Sequence, residues 1–257
     1  MADDVTDQFK RALEVRGGSV ALSGDVAVVA YGKRRFEVSL DNLRRRIAGG
    51  EPIEAAVAAF VDLIAAPADI GNADSQRDGL RLMLEQLVVV SDPNVSVRPI
   101  SDWLGIVIVW TDSPESRIRF VGPQELAEWS MSEADAWTDA AANMDALLAA
   151  TPIEMKQVAG SVIAMLATAS PFKASLVAAP SLRGHVSGQL GWPVLAVAPC
   201  RDFLYLFPKE AKDLLSRLGP VVMREFSTSP YPLSPEVFSV SDSGLRAVGS
   251  FSSERNE

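Results

Sequence analysis

The sequence predicts an α+β fold in which mainly antiparallel (mixed) sheets, built from hairpins, pack against amphipathic helices. Two observations lead to this class. Apolar, strand-like runs occur in adjacent pairs joined by short turns, which is typical of antiparallel hairpins. Helical segments fall irregularly between them, whereas a parallel α/β sheet would need strict alternation of strand and helix. With 257 residues and 48% hydrophobic side chains, the chain is long and apolar enough to bury a core.

The N-terminal half is predicted to mix helices with two hairpins. Paired glycines after residues 16 and 48 indicate helix ends, because glycine cannot continue a helix cheaply. The run from Gly105 to Trp110 is rich in β-branched residues and indicates a buried strand. The predicted helices cover residues 4–16, 41–48, 52–65, 75–87 and 124–129, and the predicted strands cover residues 26–31, 35–38, 105–110 and 117–121.

The C-terminal half begins with a helix predicted over 132–150. Ser132 and Asp135 resemble a capping box at its start. Further helices are predicted over 181–190 and 209–226, and strands over 161–167, 193–198 and 202–207. Residues 172–179 form either a strand or the start of a helix, and the tail after Pro230 has only a weak pattern. We expect one unit over residues 1–257, with 1–130 and 131–250 as alternative subdomains and a frayed tail at 251–257.

The charge pattern favours a protein partner over nucleic acid. The net charge of −9 opposes binding to phosphate backbones. Basic clusters in the first 50 residues either bind an acidic partner or form a solvated hairpin tip and helix face, and they include Arg34, Arg35, Arg44 and Arg45. The acidic N-terminus lacks the features of a secretory signal, and the most apolar stretch is interrupted by Lys173. A cytoplasmic protein without membrane contact is therefore expected.

The residue types exclude several chemistries. With one cysteine (Cys200) and one histidine (His185), zinc sites built from these residues cannot form. The sequence contains neither a Walker-type phosphate loop nor G-x-G-x-x-G, and the serine beside His185 is not in a nucleophile elbow. We therefore predict no catalytic residues, no cofactor and no metal, although a carboxylate-only Mg²⁺ or Ca²⁺ site stays open.

Two polar positions in apolar surroundings are candidates for a ligand- or partner-binding site. Arg201 and Asp202 interrupt a predicted apolar hairpin. They form either an ion pair at the turn or a site where the guanidinium binds a ligand. Asn143 lies on the helix predicted over 132–150, where its amide either bonds a neighbouring backbone group or orients a ligand.

Five segments in order resemble the YtpQ-like family of bacterial proteins, whose function is uncharacterised. They are FEVSLDNL at 36–43, Trp137 with AANM at 141–144, ASLV at 174–177, VAPCRDFL at 197–204 and LSPEVF at 233–238. Met144 stands where the family pattern has leucine. The resemblance implies a single cytoplasmic α+β protein and carries over no catalytic residue. It marks Asn42, Asn143, Arg201 and Asp202 as positions of interest.

Two functions from different classes follow. The first is a non-enzymatic protein-interaction module, such as a scaffold, a chaperone-like protein or a toxin-neutralising partner. It binds another protein or itself, because the basic N-terminal patch and the acidic remainder are electrostatically complementary. The alternative is an enzyme or small-ligand binder for an anionic substrate, anchored by Arg201. The alternative requires Arg201 and Asn143 to converge on one pocket.

Overall fold

The described residues form two antiparallel sheets with helices packed on them. The computed structural model describes residues 2–23, 26–32, 34–40, 43–44, 47, 50–65, 73–90, 94–112, 118–158, 160–229 and 231–251. Every strand pair within these ranges is antiparallel. The predicted α+β class with antiparallel sheets is therefore confirmed.

The first sheet is built from the N-terminal half of the chain. Its order is β1-β2-β3-β7-β6-β4, and β5 also pairs with β6. A meander of three strands opens it, and β4 pairs with β6 along its whole length. The strands are β1 (Gly18–Ser23), β2 (Val26–Tyr31), β3 (Arg34–Ser39), β4 (Leu80–Gln86), β5 (Val97–Pro99), β6 (Leu104–Thr111) and β7 (Ile118–Phe120).

A small core of its own lies against the meander. Helices α1 (Ala2–Val15) and α2 (Ile53–Ala65) pack together there, and the rings of Phe9 and Phe60 are 5.7 Å apart. Both helices direct apolar residues at helical spacing into this core. Leu40 and Leu43, which follow β3, are fully buried in the same cluster. The N-terminal segments are thus held by packing among themselves.

The second sheet is built from the C-terminal half of the chain. Its order is β13-β12-β10-β11-β9-β8, so β10 lies between β11 and β12. The four residues of β10 are all buried, which fits a central strand covered on both faces. The strands are β8 (Ile153–Val158), β9 (Ser161–Leu166), β10 (Val194–Val197), β11 (Tyr205–Pro208), β12 (Glu236–Ser241) and β13 (Gly244–Ser250).

The main core draws buried residues from both sheets and from the helices between them. Helix α5 (Glu133–Ala149) packs on β4, and its buried face includes Trp137, Met144 and Leu148. As predicted, Ser132 caps this helix: the Asp135 amide donates to its hydroxyl at 3.1 Å. The remaining helices are α3 (Ala73–Asp78), α4 (Pro123–Glu128), a 3-10 helix (Ala174–Ala178), α6 (Leu182–Leu190) and α7 (Lys212–Thr228).

Helix α7 covers the opposite face of the second sheet. Leu214 and Leu218 of α7 share a third cluster with Leu195 and Val197 of β10. The other two residues of β10 face the main core, as strand alternation requires. The helix begins at Lys212, a few residues after the predicted start, and continues past Pro220.

The helix predicted over 75–87 is wrong in its second half. α3 ends at Asp78, and Leu80–Gln86 form β4. Apolar residues on both faces of a buried strand remove the alternation that identifies strands, so the run resembled a helix. Gly79 separates α3 from β4. Glycine is required at this position because a Cβ there would lie 2.1 Å from the Trp110 Nε1. Pairing with β6 therefore overrides local propensity.

Several further predictions are corrected. The segment 172–179, predicted as a strand or the start of a helix, contains the 3-10 helix, and its Ala179 amide donates to the Leu176 carbonyl at 3.1 Å. The segment after Pro230, predicted to lack pattern, forms β12 and β13, and β1 and β8 were not predicted. In the predicted helix 41–48, Leu43, Arg44 and Ile47 are helical and the other positions lie outside the described residues.

Candidate functional site

The two sheets meet at a polar seam, which we define as Glu85, Gln86, Ser101, residues 199–202 and residues 231–236. The end of β4 contributes Glu85 and Gln86 from the first sheet. On the side of the second sheet, residues 199–202 run beside 231–236. The Leu233 amide donates to the Pro199 carbonyl at 2.8 Å, and the Arg201 amide donates to the Tyr231 carbonyl at 3.2 Å. The Gln86 side chain reaches across to the Leu233 carbonyl at 3.0 Å. The Gln86 bond fastens the two halves together, and the other two bonds hold the C-terminal side of the seam in shape.

A buried ion pair lies at the centre of the seam. The Arg201 guanidinium donates to a carboxylate oxygen of Glu85, and the side chains are only 7% and 3% exposed. The guanidinium carbon also lies 4.5 Å from the ring centre of Tyr231. The sequence predicted that Arg201 either forms an ion pair with its neighbour Asp202 or binds a ligand. The structure instead pairs Arg201 with Glu85 and leaves Asp202 exposed. An anionic ligand at Arg201 would have to compete with a buried carboxylate.

Asn143 is placed at the opposite end of β4 from Arg201. Its side-chain amide donates to the carbonyls of Arg77 at 2.8 Å and Leu80 at 3.0 Å. It therefore fastens α5 to the junction between α3 and β4. Leu80 and Glu85 are about 17 Å apart along an extended strand. The structure thus does not bring Asn143 and Arg201 to one pocket.

The basic N-terminal candidates are only partly described. Arg44 lies 3.5 Å from the Thr6 hydroxyl, measured from its Nη2 atom, and so contacts α1. Arg34 and Arg35 belong to β3, but their side chains lie outside the described part of the chain. Asn42 and Arg45 lie outside the described residues altogether. The predicted acidic-partner surface at these arginines stays a prediction.

Cys200 is a buried thiol in the seam. Burial raises the pKa of the Cys200 thiol, and a hydrogen bond with the side chain of Ser229 opposes that rise. The neutral thiol is thus favoured by folding. The neutral Cys200 thiol therefore contributes to the stability of the fold below the ordinary thiol pKa. This contribution is lost as pH rises through the pKa of the thiol in the folded protein.

We therefore expect Ellman's reagent at pH 8 to react with native protein at least about ten times more slowly than with protein in denaturant. A small free thiol measured in both buffers controls for solvent effects. Equal rates for native and unfolded protein would contradict the buried environment of Cys200.

Beside the seam, residues 100–104 form a loop with a dense set of hydrogen bonds. The Ser101 hydroxyl accepts from the amides of Trp103 at 3.2 Å and Leu104 at 3.1 Å. It donates to the Glu236 carboxylate at 2.7 Å, and Ser234 donates to the same oxygen at 2.7 Å. One carboxylate from the second sheet therefore fixes a loop of the first sheet.

This loop presents an exposed indole. Trp103 is 56% exposed, and its carbonyl accepts from the Leu87 amide at 2.8 Å. That bond places the loop next to Val88, which is 77% exposed. We call Val88 and Trp103 the tip. The tip therefore presents two exposed apolar side chains beside a backbone that hydrogen bonds hold in place.

Sequence reasoning missed the tip, Glu85 and Glu236. A tryptophan next to Ser101 and Asp102 in a turn-forming segment was the available signal, because such a polar segment rarely buries an indole. Glu85 carried no local signal, since it is 116 positions from Arg201. Glu236 lies in a segment to which no structure was assigned.

The described residues offer neither a metal site nor a helix that could span a membrane. In the part of the chain that the structure describes, no group of three or more His, Cys, Asp or Glu side chains is arranged to hold a metal ion. No helix within the described ranges is long and apolar enough to cross a membrane. His185 is exposed on α6.

No family model, curated protein or solved structure matches the chain. The YtpQ-like resemblance stays a prediction.

Proposed function

We propose that this protein is a non-enzymatic protein-interaction module that binds a protein partner through the tip, Val88 and Trp103. The observation that carries the proposal is an exposed indole on a loop held by the Glu236 carboxylate. Tryptophan is among the residues that most often dominate binding energy at interfaces. A cytoplasmic location and membership of the YtpQ-like family belong to the same proposal.

The loop's hydrogen bonds support binding because they reduce the entropy cost of association. Ser101 fixes the backbone on both sides of Trp103, and Glu236 fixes Ser101. A partner would then need to order only the indole itself. The neighbouring Asp102 is exposed, so the matching surface has an apolar pocket with a basic group at its rim.

The alternative, an enzyme or anionic-ligand binder using Arg201, has less support. Its anchoring charge is buried and faces Glu85. The second polar group that it requires, Asn143, bonds backbone carbonyls at the far end of β4. Among the described residues, the apolar tip is the stronger feature, and it favours a protein partner.

The test compares Trp103→Ala with a matched control at another exposed apolar position, Val248→Ala. Tagged proteins are used to capture partners from native extract, and the captured protein is purified and titrated against each variant. We expect Trp103→Ala to weaken binding about 30-fold or more, the effect of an interface hot spot. Val248→Ala should bind like wild type, and circular dichroism should show all three folded.

A partner that binds wild type and Trp103→Ala equally would overturn the proposal. Capture of a small molecule instead, lost in the double variant Glu85→Met with Arg201→Met but kept in Trp103→Ala, would favour the enzyme or ligand-binding alternative. Val88→Ala provides a second reading of the tip, and we expect it to weaken binding less than Trp103→Ala because it removes less apolar area.

A further inference from the structure

Strand β8 forms one edge of the second sheet. It pairs with β9 on one side, and no other described strand pairs with it on the other. Three of its residues are exposed, namely Glu154, Lys156 and Gln157. An open edge of this kind can accept a further strand through its main chain.

The pairing with β9 determines which backbone groups face outward. The Ala167 amide donates to the Pro152 carbonyl at 2.9 Å, so residue 152 belongs to the set that bonds β9. Ladder bonds in an antiparallel pair recur at every second residue, which assigns Glu154 and Lys156 to the same set. Ile153, Met155 and Gln157 therefore direct their N–H and C=O groups to the open edge.

The charged side chains of this edge are complementary to those of a second β8 strand that runs antiparallel to it. Glu154 and Lys156 lie on one face of β8, with 3.0 Å between the Lys156 Nζ and a Glu154 carboxylate oxygen, and each is about half exposed. In an antiparallel pair of two β8 strands centred on Met155, Glu154 stands opposite Lys156 of the second copy, and Lys156 opposite its Glu154. These are non-hydrogen-bonded positions, where facing side chains come closest.

We propose that two copies of this chain associate through β8, antiparallel and with the two-fold axis at Met155. The outward groups of Ile153, Met155 and Gln157 then form about six main-chain hydrogen bonds. The occupant is a second copy because the Glu-Met-Lys order satisfies itself when reversed, which an unrelated strand would do only by chance.

The other described edges fit this arrangement less well. β13 has an irregularity in its pairing with β12. β4 is buried along most of its length, and the Ser175 hydroxyl accepts from its Leu84 amide at 2.9 Å. β1 carries no charged side chain to set a register.

Charge reversals test the register by sedimentation velocity over a range of protein concentrations. We expect wild type to show a concentration-dependent monomer–dimer equilibrium. Lys156→Glu places like charges opposite each other at both pairs, and Glu154→Lys does the same. Each single variant should raise the dimer Kd about tenfold or more. An equimolar mixture of the two should recover dimers, since one strand is then all acidic and the other all basic.

A second pair of variants tests the main-chain bonds. Met155→Pro removes an amide that faces the open edge and not β9, so the monomer keeps its ladder. Met155→Ala shortens the same side chain but retains the amide. We expect dimers for Met155→Ala and monomers for Met155→Pro, with circular dichroism showing both folded.

Wild type that stays monomeric at every concentration would overturn the proposal. So would single charge variants that dimerise as strongly as wild type, or a mixture that fails to recover dimers. Trp103→Ala should leave the dimer unchanged, so failure of this proposal is distinguishable from failure of the proposed function.

Discussion

Replacing Gly122 by alanine is expected to destabilise the folded protein more than any other single methyl addition at a glycine that the structure describes. A Cβ atom on Gly122 would lie 1.5 Å from the Asn94 carbonyl oxygen and 2.3 Å from the carbonyl carbon. The obstruction is main chain, which cannot rotate away as a side chain can. It is also fixed on both sides, because the Ser96 amide donates to the Val121 carbonyl at 3.1 Å. The approach of two backbones, and not an unusual φ at Gly122, is therefore what requires glycine.

We expect the loss to reach about 3 kcal/mol or more, measured as the free energy of unfolding in urea. The control is Gly184→Ala on α6, where a Cβ would meet no atom within 4 Å. That variant should be more stable than wild type by up to about 1 kcal/mol, since alanine is the better helix former. A Gly122→Ala protein that unfolds cooperatively within 1 kcal/mol of wild type would contradict the close approach.

The second large effect concerns the buried pair Glu85–Arg201. Replacing Glu85 by alanine leaves the Arg201 guanidinium buried without its carboxylate, and we expect a loss of about 3–5 kcal/mol. Removing both charges should cost far less, because two apolar side chains of similar volume need no compensation. The double variant Glu85→Met with Arg201→Met is therefore the matched control.

Urea unfolding of Glu85→Met, Arg201→Met and the double variant measures the coupling directly, because the same two substitutions are made singly and together. We expect the double variant to be closer to wild type than either single variant. Single variants that unfold with the wild-type midpoint would show that the pair does not compensate buried charge. A binding measurement on the double variant tests whether the role of Arg201 is structural. If the double variant folds and still binds the partner, binding does not require the arginine.

The sequence predicted the fold class because hairpins and amphipathic helices are local patterns. Gly105 to Trp110 was recognisable from its β-branched residues, and the Ser132 cap from its spacing to Asp135. β4 was not recognisable, because its residues are buried on both faces, with α5 and the 3-10 helix packed on it, and no alternation remains. β12 failed for a different reason: serines at its half-buried positions weaken the strand signal, and its pairing with β10 spans about forty positions.

The site was predictable only where one residue stood out from its surroundings. Arg201 interrupts an apolar hairpin and was found, but its partner comes from the other sheet. Trp103 was missed because exposure depends on how β5, β6 and Glu236 are arranged in space, which no short pattern encodes. An exposed side chain whose loop is held by a residue of the other half of the chain is visible only in the folded molecule.

The central position of β10 has a consequence during translation. β11 follows β10 after a short turn, whereas β12 is synthesised only after α7. Until residues 236–241 leave the ribosome, one side of a wholly apolar strand, Val194–Val197, has no neighbour to pair with. Unpaired apolar strands recruit other chains. Between synthesis of β11 and of β12 the nascent chain therefore exposes an apolar strand edge that a chaperone could cover.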